Sequence, residues 1–179
     1  PGRACNTCTM CCWVLEIAEL GKPEGADCPH CVGGSGCGIY ADRPGVCGEF
    51  FCGYLALPFV DERWFPDRCG MMIFPDATQK RLAVHVDPAR PDAWKAAPYH
   101  ADLRQWAMAA EKMGFQVYVA IGRRIIAILP HEDVELGIFG DNDRLVYERD
   151  TINGRDVVTA RKVGAVCVPP TTQMLGTRY

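Results

Sequence analysis

Cys5-Asn6-Thr7-Cys8-Thr9-Met10-Cys11-Cys12 opens the chain with four thiols in eight residues. Cys28, Cys31, Cys37, Cys47 and Cys52 follow, so nine of the eleven cysteines lie in the first 52 residues. A tetrahedral zinc is filled by four ligands, commonly as C-x2-C pairs. Nine thiols are too many for one such ion and one too many for two. The neighbours Cys11 and Cys12 send their sulfurs in diverging directions and serve two metals more easily than one. The pattern therefore predicts a polynuclear, thiolate-bound metal lobe. A secreted disulfide framework is the competing explanation for so many cysteines. The odd total, the vicinal pair and the C-x2-C units all favour metal over disulfides.

Two metals fit the spacing. Zinc needs no redox partner and tolerates bridging thiolates, and three ions can share nine sulfurs. Iron is the alternative, because Cys5-x2-Cys8-x2-Cys11 resembles the opening of a ferredoxin motif for a [4Fe-4S] cluster, with Cys28 before Pro29 as the remote fourth ligand. That match breaks at Cys12, which follows Cys11 directly. His30 lies between Cys28 and Cys31 and is a candidate ligand, or a hydrogen-bond donor to a thiolate. Cys69 is either a tenth ligand or a buried free thiol, and Cys167 reads as an isolated plain thiol. His85, His100 and His131 show no ligand spacing. G-x-S-x-G, H-E-x-x-H and a glycine-rich phosphate loop are all missing from the sequence, so no catalytic constellation is recognisable.

Charge narrows the partners. The formal net charge is −3, and residues 1–52 carry only Arg3, Lys22 and Arg43 against Glu16, Glu19, Glu24, Asp27, Asp42 and Glu49. Metal-bound cysteines are thiolates, which adds further negative charge. Such a module repels phosphates, and nucleic acid is not expected. The best apolar run, residues 125–129, is far too short to span a membrane. Reduced thiols imply a cytoplasmic setting.

The chain divides near Gly53, into a cysteine-cluster lobe (1–53) and a second region (54–179). Gly33-Gly34-Ser35-Gly36 is expected to turn and bring Cys31 and Cys37 toward one centre. Leu15-Glu16-Ile17 is a weak candidate strand. Downstream, three hairpins are expected over 71–86, 115–129 and 144–162, the last with an Asn153-Gly154 turn. Tyr99, Leu103, Trp106, Ala110 and Met113 predict an amphipathic helix over 99–113, with Pro98 before it and Gly114 after it. Trp94, Tyr99 and Trp106 are read as core. The predicted fold is α+β: a cysteine-rich metal lobe attached to a small antiparallel sheet of hairpins with one packed helix.

The string Cys5-x2-Cys8-Thr9-Met10-Cys11-Cys12, with Glu19-Leu20-x-Lys22-Pro23 and Cys28-x-His30-Cys31, resembles the CxxCxxCC family of bacterial zinc- or iron-chelating proteins. Gly36-Cys37-x-Ile39-Tyr40-x2-Arg43-Pro44-x2-Cys47 and Phe50-x-Cys52 extend the likeness across residues 5–55. It implies that Cys5, Cys8, Cys11, Cys12, Cys28, Cys31, Cys37, Cys47 and Cys52 are metal ligands, and that Arg43-Pro44 and Phe50 are scaffold. The expected function is a metal-binding protein with a structural or metal-handling role, its C-terminal region meeting a protein partner. The alternative is an iron–sulfur redox protein or an accessory subunit of an enzyme.

Overall fold

Short elements carry the cysteine-rich segment. They are helix α1 (Met10–Val14), strands β1 (Cys31–Val32) and β2 (Gly36–Cys37), and helices α2 (Gly45–Glu49), α3 (Gly53–Ala56) and α4 (Pro66–Cys69). Longer elements follow: β3 (Met71–Asp76), β4 (Arg81–Val86), α5 (Tyr99–Met113), β5 (Gln116–Ile121), β6 (Arg124–Ile128), β7 (Asp133–Ile138), β8 (Arg144–Ile152) and β9 (Arg155–Val163). The computed structural model describes residues 3–5, 7–152 and 155–164.

The helix over 99–113 forms as its periodicity predicts. Leu103, Ala107 and Ala110 are its buried stripe, with Tyr99 and Trp106 packed alongside. Gly114 ends it at φ +70°, its N–H donating to the carbonyls of Ala110 and Glu111; only glycine adopts that left-handed cap readily. Trp64 anchors the core under this helix. It is 1% exposed, stacks at 4.6 Å on Trp106 and gives its Nε1–H to Asp102 Oδ2 at 2.9 Å. Trp94 is also buried.

The central sheet has the order β3-β4-β5-β6-β7. The expected hairpins over 71–86 and 115–129 are present as β3/β4 and β5/β6. The sheet as a whole is mixed, not antiparallel, because β4 and β5 pair in parallel. A parallel pair needs a long crossover, and α5 supplies it. The predicted helix and the two hairpins thus form one β-α-β unit. The hairpin over 144–162 also forms, but β8 and β9 make a separate two-stranded sheet. Its Asn153-Gly154 turn lies outside the described residues, as does Cys167. The hairpin docks through Tyr147, whose hydroxyl donates to the Val117 carbonyl at 2.6 Å, and through Arg81, which donates to the Leu145 carbonyl at 3.2 Å.

Alternation along β3 decides where the cysteine-rich segment sits. Met71 and Ile73 join the α5 core with Val84, Val119 and Ile126. Met72 points to the other face, where it packs with Met10 and Val14, as side chains one residue apart on a strand must. Phe74 lies on the Met72 side and stacks on Phe50, ring centres 5.6 Å apart. The segment is thus fastened to the sheet face opposite α5. Each fully buried side chain of this size contributes about 1.5–3 kcal/mol relative to exposure. The expected strand at Leu15-Glu16-Ile17 does not form: Leu15 caps α1, and Ile17 makes one isolated bridge to Lys22. Met10 and Val14, one helical turn apart, make the preceding residues helical by burying one face, and the chain leaves that helix at Leu15. Among the described residues no helix is long and apolar enough to cross a membrane.

Candidate metal centre

Four local devices aim the early thiols at one another. In α1, Thr9 O accepts from Cys12 N at 2.9 Å and Trp13 N at 3.2 Å. Burial of Met10 and Val14 then leaves Cys11 and Cys12 on the half-exposed side. In the β1/β2 turn, Gly34 and Gly36 take φ of +73° and +90°, which sets Cys31 directly opposite Cys37. The glycine turn thus pairs Cys31 with Cys37, but only Cys37 lines the cavity that these elements enclose. Cys31 N also donates to Cys28 O at 3.0 Å, closing the Cys28-Cys31 turn. Pro44 O accepts from Cys47 N and Gly48 N, both at 3.0 Å, starting α2 and placing Cys47 in its first turns. Cys52 caps α3, with its carbonyl accepting from Leu55 N at 2.9 Å.

These elements enclose a cavity of about 300 Å³. Cys5, Cys8, Cys11, Cys12, Cys28, Cys37, Cys47 and Cys52 all line it, and so does His30. Cys31 is not among the lining residues, but it lies within electrostatic reach of Cys12 and Cys28. Ile17, Leu20, Ile39, Phe50 and Met72 complete the apolar walls. Cys69 lies elsewhere: it is 4% exposed, in the α5 core, with its sulfur 3.2 Å from the Met71 carbonyl. Among the described residues every cysteine is free of disulfide bonds. Among them, too, no three Cys, His, Asp or Glu side chains already meet as a ready-made ligand set for one ion. The thiols stand around the cavity walls instead.

Several of the thiols lie within electrostatic reach of one another. Cys12 interacts with Cys11 and Cys31, and Cys47 feels Cys12, Cys28 and Cys37. Cys52 feels Cys5, and Cys8 lies against the Asp67 carboxylate. Burial pushes the thiols of Cys5, Cys31, Cys47 and Cys52 upward, and that of Cys8 up to about 12. Cys12 is also raised, first by its hydrogen bond with Cys11 and then by burial. Without metal these groups hold their protons, and a bound cation must displace them.

The residues fit a thiolate-bound metal. A zinc–sulfur bond of about 2.3 Å sweeps a sphere of roughly 50 Å³, so the cavity has room for more than one ion. Soft sulfur donors select zinc, copper(I) or iron–sulfur clusters over hard cations.

The contacts of three polar residues near the site were not legible, although Glu19 and Lys22 stand in the motif string quoted above. Asp67 accepts from Thr9 N at 3.3 Å, next to Cys8. Glu19 accepts from Val46 N at 3.3 Å, in the first turn of α2. Lys22 is 3% exposed and gives its ammonium to the carbonyls of Trp13 (3.1 Å), Leu15 and Pro23 (3.1 Å). A lone lysine between Gly21 and Pro23, in a segment so poor in cations, was the available signal. Arg43, at the cavity wall, lies over the Tyr40 ring at 4.0 Å and donates to the Tyr40 carbonyl at 2.9 Å.

Compared with known protein families, curated proteins and solved structures, the chain matches none. Its likeness to the CxxCxxCC family therefore rests on the motif residues themselves.

Proposed function

We propose that this is a metal-binding protein whose cysteine-lined cavity takes a polynuclear zinc cluster, in a structural or metal-handling role. One observation carries this: eight cysteines, none in a disulfide, line a single cavity of about 300 Å³. Cys31, within electrostatic reach of Cys12, would supply the ninth thiol. When bound, the metal would supply cross-links between α1, the β1/β2 turn, α2 and the start of α3, so its binding energy would be folding energy for this segment. His30 is a further candidate donor at the wall. Cys69 is better explained as a buried free thiol, since its sulfur faces the Met71 carbonyl.

Iron is the second reading, favoured by the Cys5-x2-Cys8-x2-Cys11 spacing. It would make the protein an iron–sulfur redox protein or an accessory subunit of an enzyme. The cysteine segment's acidic balance still argues against nucleic acid, and its unpaired thiols suit the cytoplasm.

Elemental analysis of anaerobically purified protein separates these possibilities. Zinc at two or more ions per chain and no colour supports the first. A brown protein absorbing near 400 nm and bleached by dithionite establishes the second. Less than one equivalent of any transition metal, after reconstitution with each, refutes both.

A further inference from the structure

The loop between Ile17 and Lys22 touches both helices that carry coupled thiols. It is closed at its base by two backbone hydrogen bonds, Ile17 N to Lys22 O at 2.9 Å and Lys22 N to Ile17 O at 3.1 Å. Inside, residues 18–20 form a single 3-10 turn, which Gly21 ends at φ +59°. The two ends of the loop are therefore tied to each other.

From its base, Lys22 reaches the end of α1. The last carbonyls of a helix have no partner within the helix, and here the Lys22 ammonium takes those of Trp13 and Leu15 and uses its third proton on Pro23 O. All three donors are spent, which is what permits a lysine to be 3% exposed. From the tip, Glu19 Oε1 accepts the otherwise free N–H of Val46, at the opening of α2. Helix α1 bears Cys11 and Cys12, α2 bears Cys47, and Cys12 lies within electrostatic reach of Cys47.

We propose that the 17–22 loop is a positioning clamp: Lys22 grips α1 and Glu19 grips α2, so that Cys12 and Cys47 face the same part of the cavity. Its consequence for metal rests on the metal-binding function proposed above, whereas its consequence for the thiols does not. Lys22 and Glu19 need not touch the metal; they fix the elements whose sulfurs do.

The test compares Lys22→Met, Glu19→Ala and Glu19→Gln with wild type in the full chain. Release of bound zinc to a chelator is timed, and in metal-free protein the iodoacetamide alkylation rate of each cysteine is mapped by mass spectrometry. Lys22→Met should release metal about tenfold faster, as loss of supporting partners around a metal site typically does. Glu19→Ala, which removes one surface capping bond, should act about fivefold, while Glu19→Gln, which keeps an acceptor, stays near wild type. Alkylation should quicken at Cys11 and Cys47 and not at Cys5 or Cys52; Cys12 is not used in Lys22→Met, because the Lys22 charge itself lowers the Cys12 pKa. Unchanged release and alkylation in Lys22→Met overturn the clamp. Should Lys22→Met not fold, Glu19→Ala decides in its place: wild-type release and wild-type alkylation at Cys47 overturn the clamp equally. Wild-type protein that binds no metal refutes the metal-binding function, and the alkylation pattern then judges the clamp alone.

Discussion

Replacing Gly53 by alanine should loosen the joint between the cysteine segment and the sheet. A Cβ there would lie 2.6 Å from Ile73 Cγ2, 2.8 Å from Ile73 Cβ and 3.0 Å from the Ile73 carbonyl oxygen. Ile73 is 1% exposed and sits within β3, and its β-branched side chain cannot swing aside. Overpacking of this kind typically costs 1–3 kcal/mol, and contact with a strand backbone places it near the upper end, about 3 kcal/mol. Alanine recovers about 0.5–1 kcal/mol of helical preference in α3, leaving a net loss of about 2 kcal/mol. For a chain of this size that corresponds to a Tm lower by about 4–8 °C. Thermal unfolding followed by circular dichroism at fixed metal content measures it. Gly33→Ala is the control, since its Cβ would meet nothing within 4 Å. In an Ile73→Ala background, where Cγ2 is gone, the penalty of Gly53→Ala should shrink to about 1 kcal/mol. A Tm unchanged by Gly53→Ala, or an equal penalty in both backgrounds, would refute the close approach.

His85 should make stability depend on pH. Its Nδ1 is enclosed without a partner, and burial lowers its pKa from 6.5 to about 4. The unfolded chain then takes the proton first, so this contribution is complete above pH 6.5 and is lost as pH falls toward 4; at pH 5 the loss is about 2 kcal/mol. His85→Leu should flatten the pH 5–7 stability difference by that amount, as urea titrations would show, and an identical pH dependence in the two proteins would count against it. Metal removal should act locally. After chelation, amide hydrogen exchange should accelerate across residues 8–52 while β3–β6 and α5 keep their protection, and an unchanged cysteine segment would argue that metal is not what orders it.

How much of this was legible follows from which interactions are local. The helix over 99–113 and the hairpins over 71–86 and 115–129 announce themselves because apolar period, proline, glycine and turn residues all act within a few residues. The parallel pairing of β4 with β5 does not, since it depends on where α5 returns the chain. Strand β7 was not foreseen. It is an edge strand whose Asp133 and Glu135 are spent on ion pairs with Arg104 and Arg124, and Gly137 (φ +75°) lies where the pairing with β6 shifts register. Met71, Met72 and Ile73 are all buried in succession, a run that signals a strand covered on both faces. Here the two covers are the α5 core on one face and the cysteine segment on the other. Eight of the nine thiols that spacing singled out line the cavity, and Cys31 does not. The contacts of Lys22, Glu19 and Asp67 were not legible, because each acts on backbone or thiol groups that only the folded chain brings near.

The most direct test of the central claim is X-ray absorption at the metal edge of the purified, metal-loaded protein. Sulfur neighbours at about 2.3 Å, with a second metal in the next shell, are predicted, and replacing Cys12 and Cys47 by serine should reduce the sulfur count. A shell of oxygen and nitrogen alone, or sulfur ligation that survives loss of those cysteines unchanged, would contradict it.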